Sequence, residues 1–234
     1  MNIKSPARLT PFIACVCCAL LAACTSLVLQ SKWGDPGKSV DSDARQGTFI
    51  PLAEREASYA IQNDDTRLRI AFMTTDPDLQ ERIRTEGMMI WFDPEGGEAR
   101  RLGIRYPVAW GSLPGSLDGV PQAEGAPPGS RGAGWGKPGD ELEIYTDGYN
   151  EHERMGRRDA GGISVHIAMM SDTLLYDISV PFRGRGPGPY VLDAAPGGLI
   201  GVCFETRDTR LAANSAASII PFQVWKKIRL APHP

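Results

Sequence analysis

Residues 163–181 read ISVHIAMMSDTLLYDISVP, and this stretch decides the fold class. Apolar and polar residues alternate through both halves, which is the pattern of strands that bury one face. Ser171 and Asp172 separate the halves, and both residue types favour tight turns. The stretch therefore predicts an antiparallel hairpin. Its predicted buried face carries Ile163, Val165, Ile167, Met169, Leu174, Tyr176, Ile178 and Val180.

A second hairpin is predicted over residues 88–107. The run MMIWFD is typical of a buried strand, PEGG of a turn, and LGIRY of the returning strand. One short helix precedes this hairpin along the chain. Asp76 suits its N-cap, Pro77 suits its first turn, and Gly87 suits the position just after its end.

Further strands are predicted at short intervals along the rest of the chain. They cover residues 67–72, 141–145, 198–205 and 222–230. Between two of them, residues 111–139 hold nine glycines and five prolines, which predicts a long Gly/Pro-rich loop. Many strands with one convincing helix indicate an all-β fold. We therefore expect an antiparallel, jelly-roll-like β-sandwich.

The N-terminal segment has the layout of an export signal. Lys4 and Arg8 provide a positive start, residues 11–22 (PFIACVCCALLA) form a short apolar run, and Leu-Ala-Ala-Cys closes it at residues 21–24. The alternative is an uncleaved membrane anchor, because a spanning helix needs about 20 apolar residues and the apolar stretch approaches that length.

The tetrapeptide that ends this segment resembles the lipobox of bacterial lipoproteins. The resemblance implies that Cys24 carries diacylglycerol and becomes the new N-terminus. Thr25 departs from the inner-membrane retention signal of Gram-negative lipoproteins, so we expect an outer-membrane location, on the periplasmic or the surface side. The predicted organisation is a signal peptide at 1–23, a lipidated N-terminus, tether and domain start at 24–47, a β-sandwich at 48–230 and a tail at 231–234.

Composition argues against nucleic-acid partners. The net charge of the full chain is −3, and loss of Lys4 and Arg8 with the signal peptide takes it to −5, without any basic run. Cys203 is the one cysteine that follows residue 24, so the domain cannot form an internal disulfide. Its apolar neighbours indicate a buried thiol rather than a reactive one.

No motif in the sequence indicates catalysis, a metal or another cofactor. The chain has no Gly-x-Ser-x-Gly elbow, and His152, His166 and His233 lack the spacing of a zinc site. Adjacent acids such as Asp64 and Asp65 have the character of turn and surface residues. We therefore expect no enzymatic activity, no metal and no cofactor.

Five segments in order carry a resemblance to a known type of domain. They are SKW at 31–33, YAIQND at 59–64, GMMIWFDP at 87–94, GIRYP at 103–107 and LYDISVP at 175–181. Together they resemble bacterial envelope lipoproteins whose domain is similar to family 9 carbohydrate-binding modules and DOMON-type sandwiches. The resemblance implies a β-sandwich over about residues 31–230. It implies sugar binding less specifically, because this fold hosts several ligands.

Tryptophans are the candidate ligand-binding residues, because an indole ring can cover the apolar face of a sugar. Trp110 lies just before the Gly/Pro-rich loop and Trp135 lies within it. Trp225 alternates with the apolar residues of its strand. The alternatives are that the first two rings pin the loop to the sandwich and that Trp225 stacks under another segment. The sequence predicts a lipid-anchored, non-catalytic, glycan-binding envelope protein. The alternative function is a structural or assembly partner of another envelope protein.

Overall fold

The computed structural model describes residues 28–34, 49–53, 55–108, 139–186, 188–206 and 222–234. These residues form thirteen strands and one helix, α1 (Pro77–Glu86). The strands are β1 (Val28–Gln30), β2 (Lys32–Trp33), β3 (Ile50–Leu52), β4 (Ala57–Asn63), β5 (Arg67–Thr74), β6 (Met88–Asp93), β7 (Leu102–Tyr106), β8 (Glu141–Tyr145), β9 (His152–Gly156), β10 (Ser164–Met170), β11 (Thr173–Pro181), β12 (Leu199–Glu205) and β13 (Gln223–Arg229).

The strands form two sheets packed as a sandwich. The large sheet has the order β1-β13-β12-β6-β7-β8-β9, and the small sheet has the order β10-β11-β5-β4-β2, with β3 also paired to β4. The pairs β1 with β13 and β2 with β4 are parallel, whereas the other pairs are antiparallel. The predicted all-β sandwich with a short helix is confirmed. The two parallel pairs were not predicted, because strands of two or three residues show no recognisable period.

The core lies between the sheets and takes alternate residues from their strands. Tyr59 and Phe72 enter it from the small sheet, and the ring of Phe204 from the large sheet lies 5.3 Å from each of theirs. Both predicted hairpins are confirmed, as β10–β11 and β6–β7. All eight residues predicted for the buried face of the 163–181 hairpin face this core, although Met169 is only half-buried.

The predicted helix is confirmed together with its caps. The carboxylate of Asp76 accepts hydrogen bonds from backbone N–H groups of the first turn, and Leu79 and Ile83 are buried. Gly87 follows the helix with a φ of 78°, and a Cβ there would lie 2.2 Å from the carbonyl oxygen of Pro107. This close approach requires glycine. No helix in the described ranges is long and apolar enough to cross a bilayer.

A buried polar cluster joins the N-terminal and C-terminal segments of the described chain. The backbone N–H of Ala231 donates to the side-chain oxygens of Ser31 and Asn63, each at 2.8 Å, and the Asn63 amide donates to the Ala231 carbonyl at 3.0 Å. β1 and β2 are strands of the two sheets, although they lie in the segment predicted as tether and domain start. The sheets also hold Ala231 of the predicted tail, so the sandwich reaches beyond both ends of the range 48–230.

Candidate functional site

Trp225 lies in the described part of the chain, whereas Cys24, Trp110 and Trp135 lie outside the described residues. The ring of Trp225 is on the outer face of the large sheet, as the alternation in β13 predicts. It is half-buried and packs against a cluster on that face, formed by Met89, Trp91, Tyr145 and Cys203. The structure thus places one predicted binding residue beside aromatic neighbours, and its ligand-binding role stays a prediction.

The strand register sets a line of residues across the outer face of the large sheet, from β13 to β9. We call this line the aromatic row. Its members are Trp225, Cys203, Trp91, Gly103, Tyr145 and His152. Four of these six residues carry aromatic rings, and the rings share one face of the sheet because residues opposite one another in neighbouring strands point to the same face.

Trp91 forms the centre of the aromatic row. Its ring is fully buried although it faces away from the inter-sheet core. It meets Tyr145 edge to face at 5.8 Å and Tyr149 at 5.1 Å, with an interplanar angle of 89° to the second ring. The space for it comes from Gly103, where a Cβ would lie 2.4 Å from a carbon of the indole ring. Alternate residues of the run MMIWFD therefore pack into two different clusters, one on each face of the sheet.

A second line of residues, the polar row, runs beside the aromatic row on the same face. Its members are Gln223, Glu205, Met89, Arg105, Glu143 and Arg154. Charged side chains so close to buried rings need hydrogen-bond partners, because a buried unpaired charge is costly.

Arg105 and Glu143 satisfy each other at the centre of the polar row. Arg105 Nη1 lies 3.1 Å from a carboxylate oxygen of Glu143, and that oxygen also accepts a hydrogen bond from the Tyr145 hydroxyl at 2.8 Å. Two other nitrogens of Arg105 donate to the backbone carbonyl of Glu86 at the end of α1. This network ties the aromatic row to the helix and holds its rings in place.

Glu205 is the centre of a second ionic group, nearer to Trp225. Arg100 Nη2 lies 3.0 Å from one of its carboxylate oxygens, and the Tyr149 hydroxyl donates to the other. The Arg100 guanidinium also lies 5.9 Å from the ring centre of Trp91 and 5.5 Å from that of Tyr149. Burial disfavours the charged form of Arg100, but the hydrogen bond and charge of Glu205 outweigh it and raise the pKa of Arg100.

The part of this face that solvent reaches is a patch around Glu205, which we call the Glu205 patch. Tyr149 is 37% exposed, Gln223 is exposed beside Glu205, and Trp225 is half-buried. At the β1 edge beside Trp225, a cleft of about 250 Å³ is lined by residues of both sheets, which include Lys226, Lys227, Leu29, Ile50 and Tyr59. The patch combines ring surface with fixed hydrogen-bonding groups, which suits a polar ligand that also has apolar C–H surface.

Other chemistry finds little support on this face. Burial, and then the charge of Glu205, raise the pKa of Cys203 to about 12, so its thiol stays protonated and is a poor nucleophile or metal ligand. The buried thiol predicted for Cys203 is confirmed. Within the described ranges, no three residues of the types His, Cys, Asp and Glu come together as a metal site would require.

Sequence reasoning missed Arg100, Tyr149 and His152. Arg100 and Tyr149 lie in connecting segments and reach Glu205 across 105 and 56 positions, so no local pattern links them. His152 is exposed, but its ring stacks on Tyr145 at 5.1 Å. Tyr145 could have been found, because the alternation in residues 141–145 places it opposite the buried Leu142 and Ile144.

No protein-family model matches this chain, and no curated protein matches it. Among solved structures, the chain is similar to a carbohydrate-binding module of family 9 from Caldicellulosiruptor kristjanssonii in complex with cellotriose, with 12% identity and a TM-score of 0.45 over 89% of this chain and 95% of that one. It is also similar to a family 9 module from the same organism in complex with glucose, with 13% identity and a TM-score of 0.41 over 89% and 97%.

Proposed function

We propose that this protein is a lipid-anchored component of the bacterial cell envelope whose β-sandwich binds a glycan without transforming it. The Glu205 patch is the observation that supports glycan binding most directly. Sugars present hydroxyl groups at their rims and apolar C–H groups on their faces. Trp225 and Tyr149 offer ring surface for the faces, while Gln223, Arg100 and Glu205 offer donors and acceptors for the hydroxyls.

The rigidity of this patch also supports binding. Arg100 and Glu205 hold each other at 3.0 Å before any ligand arrives, and the Trp91 ring beneath them is fixed by Tyr145 and Gly103. Preorganised groups lose little conformational freedom when they bind, which lowers the cost of association.

The absence of catalysis is part of the proposal. Among the described residues, the buried carboxylates of this face include Glu205 and Glu143, each engaged by an arginine, and Asp93, which accepts hydrogen bonds from the backbone N–H groups of Glu95 and Ala99. A glycosidase needs two carboxyl groups free to exchange protons or attack across a scissile bond. Carboxylates engaged in this way are better suited to positioning hydroxyl groups.

Glycan binding is tested with the full-length chain purified in detergent and applied to a glycan array, followed by titration with the best ligand. We expect Trp225→Ala and Tyr149→Ala each to weaken binding about tenfold or more, which corresponds to roughly 1.4 kcal/mol. Met170→Ala is the matched control, because Met170 is 51% exposed on the outer face of the small sheet. The variants Trp110→Ala and Trp135→Ala test the two binding residues predicted outside the described ranges.

Two results would contradict this function. Turnover of a glycan by the purified chain would show an enzyme. Absence of binding on the array, together with one envelope protein that co-purifies in stoichiometric amount, would favour the assembly role.

Lipid anchoring at the outer membrane rests on the sequence of residues 1–25 and is tested separately. We expect intact-mass analysis of the chain from a Gram-negative host to show loss of residues 1–23 and acylation of Cys24. The Cys24→Ala variant should lose both the added mass and the association with membranes. A wild-type chain that still begins at Met1 and carries no acyl group would refute the anchor while leaving glycan binding open.

A further inference from the structure

We propose that the edge of the large sheet formed by β1 and β13 rests on an anionic phospholipid surface, so that the large sheet stands upright on the bilayer. This inference rests on the proposed acylation of Cys24. The partner is the surface of the membrane that holds the acyl chains.

The chain between the proposed anchor at Cys24 and the large sheet is short. Val28, the first residue of β1, follows Cys24 by four positions and lies opposite Lys227 of β13. Four residues span at most about 14 Å even when fully extended. The segment 24–47, predicted to hold the lipidated N-terminus, the tether and the domain start, could span about 80 Å by the same measure. The pairing of β1 with β13 therefore removes most of the reach that the sequence indicated.

The edge formed by β1 and β13 combines an exposed apolar residue with several basic residues. Val28 is 44% exposed and is one of three large hydrophobic residues exposed in the described part of the chain. Around it, β13 presents the cations Lys226, Lys227 and Arg229. One acid, Glu98, lines the same cleft as the two lysines. Basic residues are attracted to an anionic leaflet, so this edge suits phospholipid headgroups although the chain as a whole is acidic.

The geometry of the large sheet sets how far its opposite edge lies from the bilayer. Six strand intervals separate β1 from β9 at the opposite edge. Neighbouring strands lie about 4.8 Å apart, so β9 lies roughly 29 Å farther from the bilayer when the sheet stands on β1. The aromatic row crosses the strands from Trp225 on β13, near the bilayer, to His152 on β9 at the far edge. Glu205 lies on β12, two strand intervals or about 10 Å from β1, so the Glu205 patch faces sideways close to the bilayer.

Site-specific energy transfer tests this arrangement. Gln30→Cys on β1 and Glu151→Cys just before β9 both place a thiol at an exposed position. Cys203 is buried with a raised pKa, so a maleimide dye will select the introduced thiol. The acylated full-length chains are reconstituted into vesicles of phosphatidylethanolamine and phosphatidylglycerol that carry an acceptor dye on the headgroups. We expect energy transfer from position 30 to exceed that from position 151 several-fold.

A spacer variant and a mass measurement separate the possible outcomes. Insertion of about 20 Gly/Ser residues after Ser26 adds a flexible chain and should reduce the difference between the two positions. Equal transfer from both positions in an acylated, vesicle-bound chain would overturn the upright orientation alone. A chain without acyl mass that fails to bind vesicles would overturn the proposed anchor, and the orientation with it.

Discussion

The outer faces of the two sheets are built from different kinds of residue. On the large sheet, Trp91 and Tyr145 are buried among paired ions. On the small sheet, His166 and Met170 stand exposed, and a small apolar cluster forms around Ala71 and Leu175. An antiparallel sheet can leave one face in water without large aromatic residues. The two outer faces therefore differ in how much aromatic surface they bury.

The largest expected effect comes from removing the centre of the aromatic row. Trp91→Ala should lower the free energy of unfolding by about 3–5 kcal/mol, because it empties a fully buried site. Met170→Ala on the exposed face of the small sheet should change it by less than about 0.5 kcal/mol. Urea unfolding followed by circular dichroism measures both. Equal effects would mean that the two outer faces do not differ in packing.

A smaller loss is expected from crowding the same ring. Gly103→Ala would place a Cβ 2.4 Å from the Trp91 ring, and overpacking of this kind costs about 1–3 kcal/mol. Gly139→Ala is the matched control, since nothing lies within 4 Å of a Cβ at that position. Thermal unfolding of the two variants gives the comparison. A Gly103→Ala variant as stable as the wild type would show that the ring is free to move.

The small sheet has its own buried charge, at the turn before β5. Asp64 was interpreted as a surface turn residue, but it is only 2% exposed, because its carboxylate turns inward to accept hydrogen bonds from Thr66 and Arg67 and to pair with Arg69 at 3.0 Å. Burial alone would raise the pKa of Asp64, but the hydrogen bonds and the arginine outweigh it, so the pKa lies below 3.8.

Asp64→Asn should therefore lower stability at neutral pH, by about 1–2 kcal/mol, because it removes a charge-assisted hydrogen bond. A depressed folded-state pKa contributes stability that is present above the unfolded value of 3.8 and is lost as the pH falls through the folded value. The difference between wild type and variant should accordingly shrink in acid below 3.8. Unfolding free energies measured across this range test the sign. A difference that grows in acid would be incompatible with the lowered pKa.

The smallest effect is expected at the edge of the large sheet. Glu141 accepts from Arg154 Nε at 2.7 Å, but its side chain is 51% exposed. Exposed ion pairs contribute about 0–1 kcal/mol, so Glu141→Ala should barely change the urea midpoint. Glu143, two residues along the same strand and on the same face, is 8% exposed and holds Arg105, so Glu143→Ala should cost several times more. Similar costs at both positions would show that burial does not govern these pairs.

Local sequence pattern was sufficient to predict a strand or helix wherever a segment was long and regular. The alternation in residues 163–181 and the caps at Asp76 and Gly87 lead to the observed hairpin and helix, because these signals depend on neighbouring residues alone. Strands β1 and β2 escaped prediction because they are too short to show a period and because their pairing partners lie almost 200 and 30 positions away in the chain. The Glu205 patch escaped for the same reason, since Arg100 and Tyr149 approach Glu205 only after folding.

The sequence by itself determined the all-β class, the two hairpins, the helix and the outward position of Trp225, because periodicity and capping are encoded within a few residues. Tertiary structure alone decided which outward residues of different strands share a row, since register joins positions that are distant in the chain. It also decided that Trp91 is buried on the outer face rather than in the inter-sheet core. Gly103 and Tyr145 close around that ring only when β6, β7 and β8 pair.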